Sequence, residues 1–206
     1  MASLQGLISL LNQNILSQEE FQKITVELSA RVNTTSSLLE NLLNWSKNQI
    51  ATAKANPVKT DVKRLVDDCI SLYANNAKGK NIKLLSKISE PVFIYADEEM
   101  IRITLRNLIS NAIKFTRNNG EVNVESSHQD NILCISISDS GVGIPEEDIS
   151  KIFSFEAYTT PGTAKEKGTG LGLILCKEFI EKNGGEMRVD SRYGEGSIFS
   201  FTVPKA

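Results

Sequence analysis

Asn107-Leu108-Ile109-Ser110-Asn111-Ala112-Ile113-Lys114-Phe115, then Asp139-Ser140-Gly141-Val142-Gly143-Ile144-Pro145, then Lys167-Gly168-Thr169-Gly170-Leu171-Gly172-Leu173: the order and spacing of these stretches decide how the chain reads. In the first, Asn107, Asn111 and Lys114 stand at i, i+4 and i+7, so they share one helix face beside an apolar stripe. Amide oxygens are hard ligands suited to magnesium, and an ammonium suits a phosphate. Three polar residues on a solvated face would carry the same pattern. In the second stretch, Asp139 ends an alternating strand, where a carboxylate can accept a hydrogen bond from an exocyclic amine such as that of adenine. Gly141 and Gly143 let the backbone approach a ring with no side chain between, and Asp-Ser-Gly also suits a simple tight turn. In the third, Gly168, Gly170 and Gly172 open a helix, so amides and the positive helix end face the preceding loop. That arrangement binds phosphate and also serves as a hinge. Together the stretches point to a site for a nucleoside triphosphate and a metal ion.

Working outward, the pattern from Asn56-Pro57 onward mixes helices and strands. Val62, Leu65, Val66, Cys69, Ile70 and Tyr73 mark a helix that starts near Asp61. Residues 81–88 and 92–95 read as strands joined across Glu90-Pro91. Asp97 caps the asparagine helix, whose apolar face is Ile101, Leu105, Leu108, Ala112 and Phe115. Residues 121–127 and 132–138 alternate as a hairpin about Gln129-Asp130-Asn131. A short helix near 146–153 precedes a Thr-, Gly- and Lys-rich loop. A helix over 171–182 then ends on Asn183-Gly184-Gly185. Two closing strands, 186–191 and 197–203, pair across Tyr193-Gly194-Glu195-Gly196. Because most strands meet as hairpins, the fold class is α+β, a two-layer sandwich over residues 56–206, and not a doubly wound sheet. The loop over 154–169 is long for a connection inside a domain, and such loops serve as lids or are disordered.

Residues 1–55 differ. They hold no proline and one glycine, Gly6. Leu4, Leu7, Leu11 and Ile15 trace a first helix, and Ser17-Gln18-Glu19-Glu20 reads as a capping box for a second. That second helix carries Phe21, Ile24, Leu28, Val32, Thr35, Leu38, Leu39, Leu42 and Trp45 in a near-heptad stripe, with Arg31 and Thr35 as polar interruptions. Such an α-helical hairpin cannot bury its stripe alone; it should dimerise into a four-helix bundle, the alternative being that the stripe packs on the C-terminal domain of the same chain.

Bulk properties exclude several classes. A net charge of −2 in 206 residues argues against a nucleic-acid surface. No apolar run reaches membrane-span length, so this fragment makes no membrane contact of its own. Cys69, Cys134 and Cys176 form no CxxC pair and read as reduced thiols in a cytoplasmic chain. There is no GxxxxGK[ST], and Glu146 stands where a dinucleotide fingerprint needs its third glycine, so neither a P-loop nor a Rossmann site fits.

The asparagine helix, the Asp-x-Gly-x-Gly-Ile-Pro turn, Lys151-Ile152-Phe153 and the Gly-Thr-Gly-Leu-Gly helix start resemble the four ATP-site boxes of sensor histidine kinases of two-component systems. That ATP site is shared with DNA gyrase, the Hsp90 chaperones and MutL, and the resemblance runs from about Val58 to Pro204. It implies an ATP and Mg2+ site in which Asn111 holds the metal, with Asn107 and Lys114 nearby and Phe115 flanking the nucleotide. Asp139 would hold the adenine amine, with Gly141, Gly143 and Ile144 shaping the pocket. Residues 158–171 would form an ATP lid, including Tyr158, Thr159, Thr160, Lys167, Gly168, Thr169, Gly170 and Leu171, and running into Gly172. Gyrase-like hydrolases place a glutamate base where this chain has Asn107, and an amide cannot take a proton from water, so phosphoryl transfer fits better than hydrolysis.

The N-terminal hairpin resembles the family's dimerisation and phosphotransfer domain, entered just after the histidine-bearing box. The box itself is absent, which reads as a truncation with Met1 a replacement start, the alternative being a naturally kinase-dead protein. His128, the only histidine, sits at a strand end and is no substitute phosphoacceptor. The expected function is therefore the ATP-binding catalytic region of a protein histidine kinase. The intact protein would act as a homodimer that phosphorylates its own histidine and passes the group to a response-regulator receiver domain. A non-catalytic ATP-regulated dimeric scaffold and an anti-sigma-type serine kinase are the alternatives.

Overall fold

Strict alternation builds the middle of the sheet. In the computed structural model, which describes residues 20, 22, 25, 55–154, 160–164, 166 and 170–206, β5 (Ile132–Asp139) turns Leu133, Ile135 and Ile137 to one face. These residues stand opposite Val203, Phe201 and Phe199 of β7 (Gly196–Pro204), all buried. On its other side β5 pairs with β4 (Glu121–Gln129), which adds Val122 and Val124 to the same face. β6 (Met187–Arg192) closes that side as the hairpin partner of β7. The period of two sends apolar side chains inward and polar ones outward, as expected of a sheet covered on one side.

Helices cover the apolar face. In α1 (Val62–Gly79) the buried positions Val62, Leu65, Val66 and Cys69 follow the three-four spacing, and Asp61 caps the start by accepting from the Arg64 amide. In α2 (Glu98–Phe115) Ile101, Leu105, Leu108, Ile109 and Ala112 are buried, and Asp97 accepts from the Met100 amide at 3.2 Å. Glu98 and Glu99 in the first turn and Lys114 in the last complement the helix dipole. α3 (Glu146–Ile149) is a single turn. α4 (Gly172–Lys182) buries Leu175, Cys176, Phe179 and Ile180. It stops at Asn183, followed by Gly184 at φ +75°, a left-handed position that glycine fills without a Cβ clash.

One strand pairing differs from the sequence expectation. β2 (Lys83–Ser86) and β3 (Phe93–Ala96) are not partners across Glu90-Pro91. β2 runs parallel to β4, giving the five-stranded order β2-β4-β5-β7-β6, whereas β3 pairs antiparallel with β1 (Val58–Asp61) in a separate two-stranded sheet. The reason lies in burial: Ile94 and Ala96 face the core while Phe93 and Tyr95 face outward, and Thr60 supplies the buried partner opposite Ile94. β1 carries one apolar residue at Val58, which is exposed, so hydrophobic alternation gave no sign of it.

The chain divides into two units, Met1–Ala51 and Thr52–Ala206. In the first, only Glu20, Gln22 and Thr25 are described, each helical and exposed. Of the expected capping box only Glu20 is described, and the hairpin and bundle lie outside the described residues.

Candidate functional site

The second half of α2 is the spine of the site. Asn107, Asn111, Lys114 and Phe115 are each partly buried, which places this face between the packed core and open solvent. Two loops meet it at its two ends. At Asn107 the start of α4 comes so close that a Cβ on Gly172 would lie 3.0 Å from the Asn107 carboxamide oxygen. At Phe115 the turn after β5 docks, with the Val142 amide donating to the Phe115 carbonyl at 3.2 Å. One helical stretch thus brings the asparagine face, the Asp139 turn and the Gly172 helix start together, although they are far apart in sequence.

Asp139 ends β5 between Val122 of β4 and Ser197 of β7. Its Oδ1 accepts from the Gly141 amide at 2.9 Å. Burial raises its carboxyl from 3.8 to about 6, opposed by the amide hydrogen bonds from Gly141 and Ser197. A carboxylate with that balance gains from a further donor, which would repay the desolvation of its charged form.

The glycines of this turn have a different immediate reason from the one expected. A Cβ on Gly141 would lie 2.5 Å from both the Asp139 Oδ1 and the Phe115 carbonyl oxygen. Gly143, at φ +66°, would place one 2.0 Å from the Arg192 carbonyl oxygen. Both positions are glycine because the turn is pressed between α2 and the β6–β7 turn. Further bonds fix it there: Gly194 donates to the Val142 carbonyl at 2.7 Å, and Ile144 donates to Ser191 Oγ at 2.9 Å. Ser191 in turn hydrogen-bonds the Gly196 carbonyl and the Ser197 hydroxyl, each at 3.0 Å.

On the other side, Lys114 reaches the Thr160 carbonyl at 3.3 Å and lies 4.5 Å over the Phe115 ring. Burial holds its ammonium below the usual lysine range, against the pull of Glu166. Gly170 has φ +74° and leads through Leu171, which offers no side-chain cap, into Gly172. Tyr158, Thr159, Lys167, Gly168 and Thr169 lie outside the described residues. Cys176 faces Thr104 and Asn107, and burial pushes its thiol up to about 12, so it is no nucleophile. His128 is exposed opposite Leu133 at the far end of the β4–β5 hairpin. Sequence reasoning missed Ser191, Gly196 and Ser197; only the glycine-rich turn after Tyr193 hinted at that region.

Magnesium fits the donors present. Among the described residues no three His, Cys, Asp or Glu side chains cluster as metal ligands, but Mg2+ retains water and needs only one or two protein oxygens beside substrate phosphates. Asn107 and Asn111 offer amide oxygens of that kind. Among the described residues no helix is long and apolar enough to cross a membrane.

A mixed sheet covered on one face by helices, with an asparagine helix flanked by two glycine turns, defines an ATP-binding domain of the histidine kinase type. Residues 96–206 match the family Histidine kinase-, DNA gyrase B-, and HSP90-like ATPase, and the chain belongs to that family. Adaptive-response sensory kinase SasA of Crocosphaera subtropica is 34% identical over 90% of this chain and 50% of its own length. Sensor histidine kinase GacS of Pseudomonas protegens is 32% identical over 97% of this chain and 23% of its own length. The chain therefore spans half or less of these two relatives. The solved catalytic domain of histidine kinase ThkA matches with a TM-score of 0.63 at 31% identity, over 73% of this chain and 96% of that one. Full-length ShkA in complex with AMPPNP matches with a TM-score of 0.74 at 27% identity, over 96% of this chain and 41% of that one.

Proposed function

We propose that this chain is the ATP-binding catalytic region of a sensor histidine kinase, that it binds ATP with Mg2+, and that in the intact protein it phosphorylates a histidine of the dimerisation helix. The observation that carries the reading is the meeting on one half of α2 of the Gly172 helix start at Asn107 and the Asp139 turn at Phe115. Adenine would lie against the turn, its amine donating to Asp139, with Phe115 and Ile144 as apolar walls. The phosphates would lie toward Lys114 and the first turn of α4, where a lysine and helix amides favour negative charge. Asn111, with Asn107 one turn away, would hold Mg2+, which neutralises phosphate charge when bound. In the transfer, the bond from the γ-phosphorus to its bridging oxygen breaks, a phosphorus–nitrogen bond forms to the histidine ring, and ADP leaves. The phosphoryl group then passes to a response-regulator aspartate. The protein would act as a homodimer through its N-terminal helices, with the nucleotide site on the cytoplasmic side.

Two experiments separate this reading from its competitors. Incubated alone with labelled ATP, the 206-residue chain should bind nucleotide and acquire no label, because its one histidine is the remote, exposed His128. Addition of a histidine-bearing dimerisation domain in trans should yield an acid-labile, base-stable label on that partner. Failure of ATP binding sinks the proposal. Binding without transfer in trans favours a nucleotide-sensing scaffold, and an acid-stable phosphoserine on a partner favours a serine kinase.

A further inference from the structure

Lys80 belongs to none of the nucleotide motifs, yet its ammonium joins two distant parts of the chain. It stands just past α1 with its side chain 11% exposed, and it donates to the Ile113 carbonyl at 2.8 Å and the Lys114 carbonyl at 3.0 Å. These carbonyls lie in the last turn of α2, where helix geometry leaves acceptors without intrahelical partners and a cation is favoured. The same ammonium reaches Thr163 Oγ1 at 2.6 Å and Glu166 Oε1 at 3.2 Å.

Residues 160–164 and Glu166 gather around that contact. Gly162 donates to the Glu166 carbonyl at 2.9 Å, and Ala164 donates to the Glu166 carboxylate at 2.7 Å. Thr163 binds α2 directly, its amide donating to the Lys114 carbonyl at 3.0 Å and its hydroxyl to the Thr116 carbonyl at 2.8 Å. Gly162 is buried, with no room for a Cβ beside Lys114 Cγ and the Glu166 carboxylate. From this loop the Thr160 carbonyl receives the Lys114 ammonium.

We propose that Lys80 is a positioning residue: through Glu166 and Thr163 it latches residues 160–164 to the end of α2, and so sets where the Lys114 ammonium stands relative to the nucleotide phosphates. The last clause rests on the proposed ATP site; the latch itself does not. Glu166 is the one charged acceptor among four that share three N–H donors. Without its charge the ammonium turns to the α2 carbonyls and Thr163, and the turn that Glu166 closes with Gly162 and Ala164 loses its tie to Lys80.

The test compares the full chain with Glu166→Gln, Lys80→Met and the double variant. Glu166→Gln keeps Lys80 as the donor to α2, so it spares the fold even where Lys80→Met does not. In ligand-free protein, the Gly162, Thr163 and Ala164 amides should exchange about tenfold faster in either single variant, given a charge-assisted bond of ordinary strength. The double variant should add little. Affinity for ATP-Mg should fall roughly fivefold, while that for adenosine, which lacks phosphates, stays within twofold. Unchanged exchange in Glu166→Gln overturns the latch. Equal losses for ATP and adenosine overturn the positioning of Lys114. If the unaltered chain binds no ATP, the nucleotide reading and the Lys114 role fail together, and amide exchange alone still decides the latch.

Discussion

Replacing Asp139 by asparagine should stabilise the ligand-free chain at alkaline pH and weaken its grip on ATP. The reason is the buried carboxyl, raised from 3.8 to about 6 by desolvation despite the amide bonds from Gly141 and Ser197. A folded value above the unfolded one means that this group's contribution to stability is whole below about pH 4 and is lost as pH rises through about 6. At about 1.4 kcal/mol per tenfold change, the full gap is bounded near 3 kcal/mol. Between pH 8 and pH 5 the linkage gives about 1.4 kcal/mol, and partial solvent access reduces this to about 1 kcal/mol. Asparagine keeps an oxygen acceptor for the Gly141 amide and has no proton to exchange over that range. The stability of the natural chain relative to Asp139→Asn should therefore rise by about 1 kcal/mol from pH 8 to pH 5.

Urea denaturation at both pH values measures this, followed by the amide signals of Ile135 and Ile137 in the middle of β5. ATP affinity at pH 8 should move the other way, falling by roughly tenfold in Asp139→Asn, because the adenine amine loses a charged acceptor. A carboxylate that merely braces the turn would lose stability on substitution at every pH. A difference between the two proteins that does not change with pH would therefore refute the reasoning.

Gly143→Ala should cost about 2–4 kcal/mol, since the left-handed backbone and a Cβ 2.0 Å from the Arg192 carbonyl oxygen force β6 away; thermal denaturation reads it. Ser191→Ala removes the acceptor of the Ile144 amide and a donor to the Gly196 carbonyl, so urea unfolding should show a loss of about 1–3 kcal/mol. Asn111→Ala should leave stability nearly unchanged, because the residue is only partly buried and alanine favours a helix. It should abolish the Mg2+ dependence of ATP affinity in titration calorimetry with and without the metal, and a retained dependence would remove Asn111 from the metal site.

The large elements were legible because each carried one period throughout. Leu133, Ile135 and Ile137 alternate without a break, and Val62 through Cys69 keep the three-four spacing, so β5 and α1 fell where expected. β1 was not legible, since its core-facing residue is Thr60 and its one apolar side chain is exposed. The partner of β2 was hidden for another reason: parallel pairing with β4 spans α2, and no local turn signal marks it. In the site, Asn107, Phe115, Asp139 and Gly172 could be read from motifs, and the structure brings them to one half of α2. Ser191 and Ser197 could not, because serines on a strand look like ordinary solvent-facing residues until their hydroxyls meet under the turn. Lys80 was equally silent, as a lysine after a helix end reads as a dipole partner of that helix and not of one 33 residues away.

The two sides of the site are held by different means, and this decides where each would yield. Asp139 lies between strands on both sides, and its turn is wedged by backbone contacts at Gly141, Gly143 and Gly196, the last leaving only 2.0 Å between a Cβ and the Asp139 carbonyl oxygen. Backbone wedges of this kind move only with the sheet, so the side proposed for adenine is fixed before any ligand arrives. On the other side, residues 160–164 and Glu166 are held to the end of α2 by hydrogen bonds that water can replace, donated by Thr163 and by Lys80, from which the Glu166 carboxylate also accepts. Such contacts open at a fraction of the free energy of global unfolding. Recognition of the base should then survive changes that loosen the phosphate side, and ATP should lose affinity where adenosine does not. That asymmetry follows from the packing of three glycines on one side and the reach of one lysine on the other.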